Sequence, residues 1–497
     1  CGRSQPLAGL TTVVALLGTI PYIALQLKAV GQTFNIMAGS PTGIEPEIFD
    51  TAFFAAIFLT IFAILFGTRL PGQRRDSHRG MMIAIAFESV VKLIAFVLVG
   101  IFCTFELYDG FDNLFNLARQ DPQVASVFST NFSQWALVTQ LLLASLAIIC
   151  LPRQFHVTFV ESPDEERYRN NARWFFPLYL LGFILFVVPI AAAGLLKFGG
   201  LAPPDAFVLL LPMAFDNEPL AALAFLGGLS AATGMILVST LALAIMVANE
   251  ILLPLMFRSS PEELRQRQDL SWIMVMVRRL CIVGIMSFAW LYYQSATNER
   301  SLASIGLVAF VAAAQFAPAL LGGLYWRQAN RYGAMTGMLI GLLSWALTLV
   351  WPEMQAEHIE TVQQFVPLPV DPLTNGVLLS LGLNILTYVA VSLATTSRLV
   401  DRVQAATFVD LMPTNSKAGR YLKENLRIDD LTTLASRFMG SERVQTIIET
   451  YALEHQIRQL NEKDPAPAEL ITAVESLLAQ EIGYTSARLV IRSASRG

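Results

Sequence analysis

The chain has 497 residues, of which 54% are hydrophobic and 14% charged, and a net charge of −4. Soluble domains carry nearer a quarter charged residues, so a shortage this large means that much of the surface faces lipid rather than water. The small net charge gives no sign of a nucleic-acid partner, and none is expected; of the four cysteines, Cys103, Cys150 and Cys281 lie inside apolar stretches and read as packing residues, not disulfides or zinc ligands, while Cys1 opens the chain.

A bilayer core needs about 20 apolar residues per spanning helix. In chain order, the stretches that meet this are roughly 7–30, 49–69, 80–106, 132–152, 173–197, 219–256, 270–297, 301–326, 332–351 and 374–396. The sixth is long enough to tilt or break. The loops test this division. Alternate loops hold Arg69, Arg74, Arg75, Arg79, then Arg153, Arg167, Arg169, Arg173, then Arg258, Arg265, Arg267, then Arg327 and Arg331. The loops between them are acidic, with Glu45, Glu47, Asp109, Asp112, Asp216, Glu218, Glu353 and Glu360. The positive-inside rule then places both ends of the bundle in the cytosol. We read residues 1–397 as a transmembrane domain and 398–497 as a small cytosolic, mostly helical domain. In the latter, LTTLASRFMG and AELITAVESLLAQEIG carry apolar residues at helical spacing, NEKDPAPAE is a loop, and SARLVIRS is a short strand or a helix end. The opening CGRSQPL has none of the regions of a signal peptide and the end IRSASRG has no capping pattern, so a fragment of a longer protein is expected.

Polar groups at membrane depth are the candidates for chemistry. Glu88 and Lys92 are four residues apart in IAFESVVKLIAF and share a helix face. They form a coupling or substrate-path site, or a structural ion pair that sets helix packing. Lys28 near the end of the first helix is expected to snorkel to the interface. Tyr22 and Gln26, one to two turns earlier, would face the bundle interior. Arg278 and Arg279 read as anchors for inner headgroups or as partners across the bundle. Pro152 breaks the fourth helix, which leaves Gln154 and His156 beside freed carbonyls, the arrangement from which secondary transporters build sites, or else an ordinary helix end. Gly227, Gly228, Ser230, Ala231, Ala232 and Gly234 make a small-residue face, which serves close helix packing or exposes carbonyls and hydroxyls to a hard cation. Asn249 and Glu250 mark the cytosolic end of that helix. No GxxxxGK[ST] loop, Ser-His-Asp set or metalloprotease motif occurs, so the residues present are not read as an enzyme.

Several strings together carry a resemblance: IPYIALQLKAV, AFESVVKLIAF, LPRQFHVTFVE, ARWFFPLYLLGFILFVVPIAAAGLL, FLGGLSAATGMILVSTLALAIMVANEILLP and AAAQFAPALLGGLYWR. They resemble the sodium/solute symporter family, most closely its branch fused to bacterial sensor histidine kinases (CbrA type), and the C-terminal part resembles the domain that connects such modules to their kinases. The resemblance implies an all-α membrane protein with about ten transmembrane helices of an inverted-repeat (LeuT-like) transporter fold, two of its helices broken at the midplane. The family's leading helices would precede Cys1 and kinase domains would follow Gly497. It implies a nutrient-sensing input module in the bacterial inner membrane. Such a module binds a small solute (an amino acid, histidine first), with or without carrying it across, and relays occupancy to kinase domains in cis and a response regulator, in a homodimeric parent that is itself a histidine protein kinase. A stand-alone symporter with a regulatory C-terminal domain is the alternative. In sodium-coupled members a carbonyl and two adjacent hydroxyls hold Na+. Gly227 and Ser230 match the carbonyl and the first hydroxyl, Ala231 stands at the second, and Thr233 is shifted by over half a turn. That departure leaves H+ coupling, or sensing without coupling, beside Na+ coupling. Gln154 and His156 match a Gln-Pro-His string of the family, with Phe155 in place of Pro, and Glu88 falls near an acidic position of its fifth core helix. A proton-pumping subunit of a respiratory complex would need a chain of charged residues along its helices and lacks a foldable C-terminal domain; a structural scaffold would need neither Glu88 nor the small-residue face.

Overall fold

The computed structural model describes residues 4–39, 50–68, 79–129, 133–160, 165–259, 271–295, 302–351, 371–396, 427–454, 464, 466–482, 487 and 491. These residues form helices and the turns between them, with one isolated bridge at Arg427. The boundary expected near residue 398 lies outside them, and so does SARLVIRS except for Ala487 and Ile491, both helical.

In chain order the elements are α1 (Gln5–Met37), α2 (Thr51–Gly67), α3 (Arg79–Ile101), α4 (Phe111–Gln120), α5 (Pro122–Ser129), α6 (Gln134–Cys150), α7 (Pro152–Phe155), α8 (Glu165–Phe198), α9 (Phe207–Ala214), α10 (Glu218–Val247) and α11 (Leu253–Ser259). They continue as α12 (Ser271–Ser295), α13 (Leu302–Ala314), α14 (Ala317–Tyr325), α15 (Arg331–Trp345), α16 (Pro372–Ala394), α17 (Ile428–Met439), α18 (Ser441–Glu454) and α19 (Ala468–Ile482). Side-chain caps start several of them. Asp50 accepts from the Phe53 amide at 2.9 Å, Asn217 from Leu220 at 3.2 Å, Asn330 from Gly333 at 2.9 Å and Asp371 from Thr374 at 3.1 Å. Each satisfies an amide that has no partner within its helix.

Eight described helical segments are long and apolar enough to cross a membrane, and the bent pair Gln134–Cys150 and Pro152–Phe159 makes a ninth. The tenth expected stretch is α2, whose 17 residues form a shorter apolar helix. The chain is thus an all-α membrane protein, because only helices that satisfy their own backbone, or closed barrels, survive in hydrocarbon.

Three readings of individual helices change. The first span runs on to Met37, so Lys28 sits well inside it and is buried, with 6% of its surface exposed. Lys28 therefore does not snorkel. The sixth stretch does not break at its small residues: α10 is continuous from 218 to 247, and a π-helical turn (Ala248–Leu252), which holds Asn249 and Glu250, joins it to α11. The stretch 301–326 is interrupted at Gln315–Phe316, between α13 and α14. Pro318, just after this interruption, has no amide to offer the carbonyl of Ala314. The break at Pro152 is as expected: Leu151 turns extended and the axis bends by 49°.

Packing follows small residues. On α15, Gly333, Gly337 and Gly341 meet Ser392, Tyr388 and Asn384 of α16 so closely that any added Cβ would collide. Cys103, Cys150 and Cys281 are buried and free, as packing residues should be. Arg279 donates from Nε to the Thr68 hydroxyl at 3.1 Å, which ties α12 to the end of α2. At the same end of the bundle, α17–α19 bury Ile428, Leu431, Ala435 and Phe438 together with Leu470, Val474 and Leu478. This spacing is the apolar stripe of amphipathic helices. Leu253 of α11 and Met274 of α12 belong to the same core, and Phe257 meets Phe438 edge-on at 6.2 Å.

Candidate functional site

Between α1, α3 and α10 lies a cavity of about 410 Å³, within the size range of small-ligand sites. The segment 205–209, Phe183 of α8 and Leu302 of α13 complete its wall. α1 and α10 close its inner end, where the Tyr22 hydroxyl donates to the Met235 sulfur at 3.0 Å. Farther along, Phe34 and Phe225 of the same two helices meet edge-on at 5.0 Å. The cavity's other limit is marked by Asp205, whose Oδ2 accepts from the Leu302 amide at 3.1 Å.

Residues singled out in the sequence meet here: Gln26 from α1, Lys92 from α3 and Gly227 from α10 all line the cavity, and so do Tyr22, Gly228, Ala231 and Ala232. Lys92 is half-buried, near the middle of α3. α3 and α10 run antiparallel and touch through glycines. A Cβ on Gly227 would lie 2.7 Å from that of Ala95 and 3.6 Å from the Lys92 α-carbon. A Cβ on Gly234 would strike the Glu88 carboxylate. Glu88 thus lies against the backbone of α10 one turn from Lys92 and is not on the cavity wall. Glu88 and Lys92 act on each other electrostatically, and Arg153 of α7 acts on both. The Tyr179 hydroxyl of α8 donates to the Ser89 carbonyl at 3.2 Å beside them.

The other expected residues lie elsewhere. Gln154 and His156, half-buried around the α7 turn, do not line the cavity, while Arg153 beside them lies within electrostatic reach of Glu88 and Lys92. Ser230 and Thr233 also lie off the wall, and the Thr233 hydroxyl donates to the Ser230 carbonyl at 3.0 Å.

Residues 224–341 match the family described as Sodium:solute symporter family. The chain is also similar to an uncharacterized symporter, YhjB, of Bacillus subtilis (strain 168), with 23% identity over 400 residues, 79% of this chain and 74% of that protein. That family implies sodium, for which Gly227 and Ser230 would supply donors. They do not fit. Gly227 sits inside an unbroken helix, where its carbonyl faces the amide four residues on. Ala231 has no side-chain oxygen to offer, Ser230 and Thr233 lie off the wall that Gly227 lines, and the cation Lys92 is on that wall. A second cation there would meet like charge and find few oxygens, whereas hard cations need several.

A second polar centre was missed from the sequence. Gln315, at the break between α13 and α14, is fully buried. Its Nε2 donates to the Val311 carbonyl at 3.3 Å and to the Ser380 hydroxyl at 3.2 Å. Asn384 Nδ2 donates to the Gln315 carbonyl and to its Oε1, each at 2.9 Å. The signal in the sequence was a lone glutamine followed closely by proline in AAAQFAP.

Proposed function

We propose that the chain is a symporter-type solute carrier whose substrate site is the cavity between α1, α3 and α10. One observation carries this reading: a ligand-sized cavity at membrane depth, with Gln26, Gln32, Thr33 and Lys92 on an otherwise apolar wall. An amino acid, histidine first, is the solute class suggested by the resemblance in sequence. The donor set at Gly227 and Ser230 favours transport that does not depend on sodium. The arginine-rich loops favour a cytosolic position for α17–α19 in a bacterial inner membrane.

The packing of α17–α19 on Leu253, Phe257 and Met274 favours a second role beside the first. α10 lines the cavity and continues through the π-helical turn into α11, whose side chains enter the C-terminal core. A solute-dependent tilt of α10 would therefore reach these helices, and in a homodimeric parent kinase domains in cis and a response regulator would read it.

Gly228 tests the site. It lines the cavity, and a Cβ built there meets nothing within 4 Å. Gly228→Leu is expected to fill the cavity, abolish uptake of radiolabelled amino acids by cells expressing the full-length protein, and leave its melting temperature nearly unchanged. Uptake at the wild-type rate in a well-folded Gly228→Leu protein would move the substrate path elsewhere. The same assay without sodium checks the coupling reading: a collapse of wild-type uptake would restore a sodium site.

A further inference from the structure

We infer that the solute is a small organic carboxylate and that Lys92 is the residue that holds its anionic group. This rests on reading the cavity as the solute site. Of the described residues that line it, only Lys92 and Asp205 carry charge. Asp205 is exposed, and one of its oxygens is already bonded to the Leu302 amide. Lys92 lies deep, beside Gly227 and Ala231, where α10 offers no side-chain oxygen.

The balance of charge around Lys92 points the same way. Lys92 has Glu88 one turn away on α3, and Arg153 of α7 lies within electrostatic reach of both. Charge at membrane depth is expensive unless it is paired. Glu88 is turned onto the backbone at Gly234 and away from the cavity, so it offsets one positive charge from behind. Lys92 lines the space a solute would fill, and a carboxylate there gives its ammonium group a charge-assisted hydrogen bond. A sodium ion or an ammonium group would add to the imbalance. Gln26, Gln32 and Thr33 supply neutral donors and acceptors for the rest of the molecule, while Phe96 and Phe183, with ring centroids 5.0 Å apart, give it an apolar side. Among the described lining residues no buried carboxylate awaits an ammonium group. The carboxylate, rather than the amino group, is what this wall distinguishes.

The test uses purified full-length protein in nanodiscs, with thermal stabilisation and competition of radiolabelled ligand as readouts. The probes are L-histidine, imidazole-4-propionate (no amino group), histamine (no carboxylate), and acetate, pyruvate and succinate against their neutral amides. Carboxylates are expected to bind whether or not they carry an amino group, and the amides and histamine at least tenfold more weakly. Lys92→Gln is expected to erase that preference, and Lys92→Arg to keep part of it. The comparison of carboxylate with amide on the wild-type protein needs no variant and stands even if Lys92→Gln fails to fold. Equal binding of amides or histamine overturns the inference, and so does an unchanged carboxylate affinity in folded Lys92→Gln. Binding of neutral solutes alone overturns it while leaving the carrier reading in place. Binding of no solute of either kind removes the carrier reading, and this inference with it.

Discussion

Glu88 and Gly234 show how a single pair positions charge in this bundle. The glycine leaves a notch on α10, and the carboxylate occupies it. A methyl group at 234 would have to displace the carboxylate, which is the far end of a flexible side chain rather than a backbone. Gly234→Ala should therefore cost about 1 kcal/mol or less of stability, ordinary for a single substitution. It should nevertheless lower solute uptake severalfold, because Glu88 would no longer offset Lys92 from behind. Thermal melts and uptake measured on the same preparation decide the matter. A large loss of stability with normal uptake would make the pair a packing device only. Lys28 carries the opposite lesson: a lysine in an apolar helix is not an interfacial anchor when the helix runs well past it.

Helix by helix, close approach and buried hydrogen bonds do most of the work. The glycine row of α15 admits α16, and that approach lets Asn384 reach the broken helix at Gln315. Replacing Asn384 by leucine would strand the Gln315 carbonyl and side-chain oxygen in the interior, at a cost of about 1–3 kcal/mol for each buried group left unsatisfied. Asn384→Leu should accordingly lower the melting temperature of the purified protein in nanodiscs by several degrees. Asn384→Ser, which keeps a donor, should recover part of the loss. Equal melting of wild type and Asn384→Leu would show that water, or the bend itself, satisfies these groups. The bend at Leu151 matters in another way. It leaves Arg153 within electrostatic reach of Glu88 and Lys92, while the Gln154 and His156 side chains stay off the cavity wall.

Across the whole molecule, the C-terminal helices and the bundle share one hydrophobic core through Leu253 and Met274. Phe438 is the largest fully buried side chain there, with 2% of its surface exposed. Phe438→Ala should cost this unit about 3–5 kcal/mol, the range for large-to-small changes in a core. That approaches the whole stability of a unit so small. The expected outcome is rapid proteolysis after residue 426, while tryptophan fluorescence from the bundle still melts at its wild-type temperature. Solute binding should survive, and any solute-dependent signal through the C-terminal helices should be lost. If protease resistance is unchanged, α17–α19 hold together without the aromatic contact to Phe257; if the bundle melts early, the two parts fold as one.

Much of this architecture was legible in residue order alone. Ten apolar stretches appear as helices where hydropathy places them, because a spanning segment must satisfy its own backbone and present some twenty apolar residues, and both demands are local. The helix break at Pro152 was equally local, since proline removes an amide wherever it falls. What meets what was not local. Lys92 joins Gln26 and Gly227 at one cavity while Ser230, Thr233, Gln154 and His156 turn elsewhere, and Gln315 finds Asn384 sixty-nine residues away. Helical periodicity assigns a residue to a face but not to a neighbour. Neighbours depend on how closely two helices approach and at what height, and here the glycines and alanines of α3, α10, α15 and α16 set both. The sequence therefore determined a polytopic helical bundle with charges at membrane depth. Only the tertiary structure decided which of those charges faces a cavity.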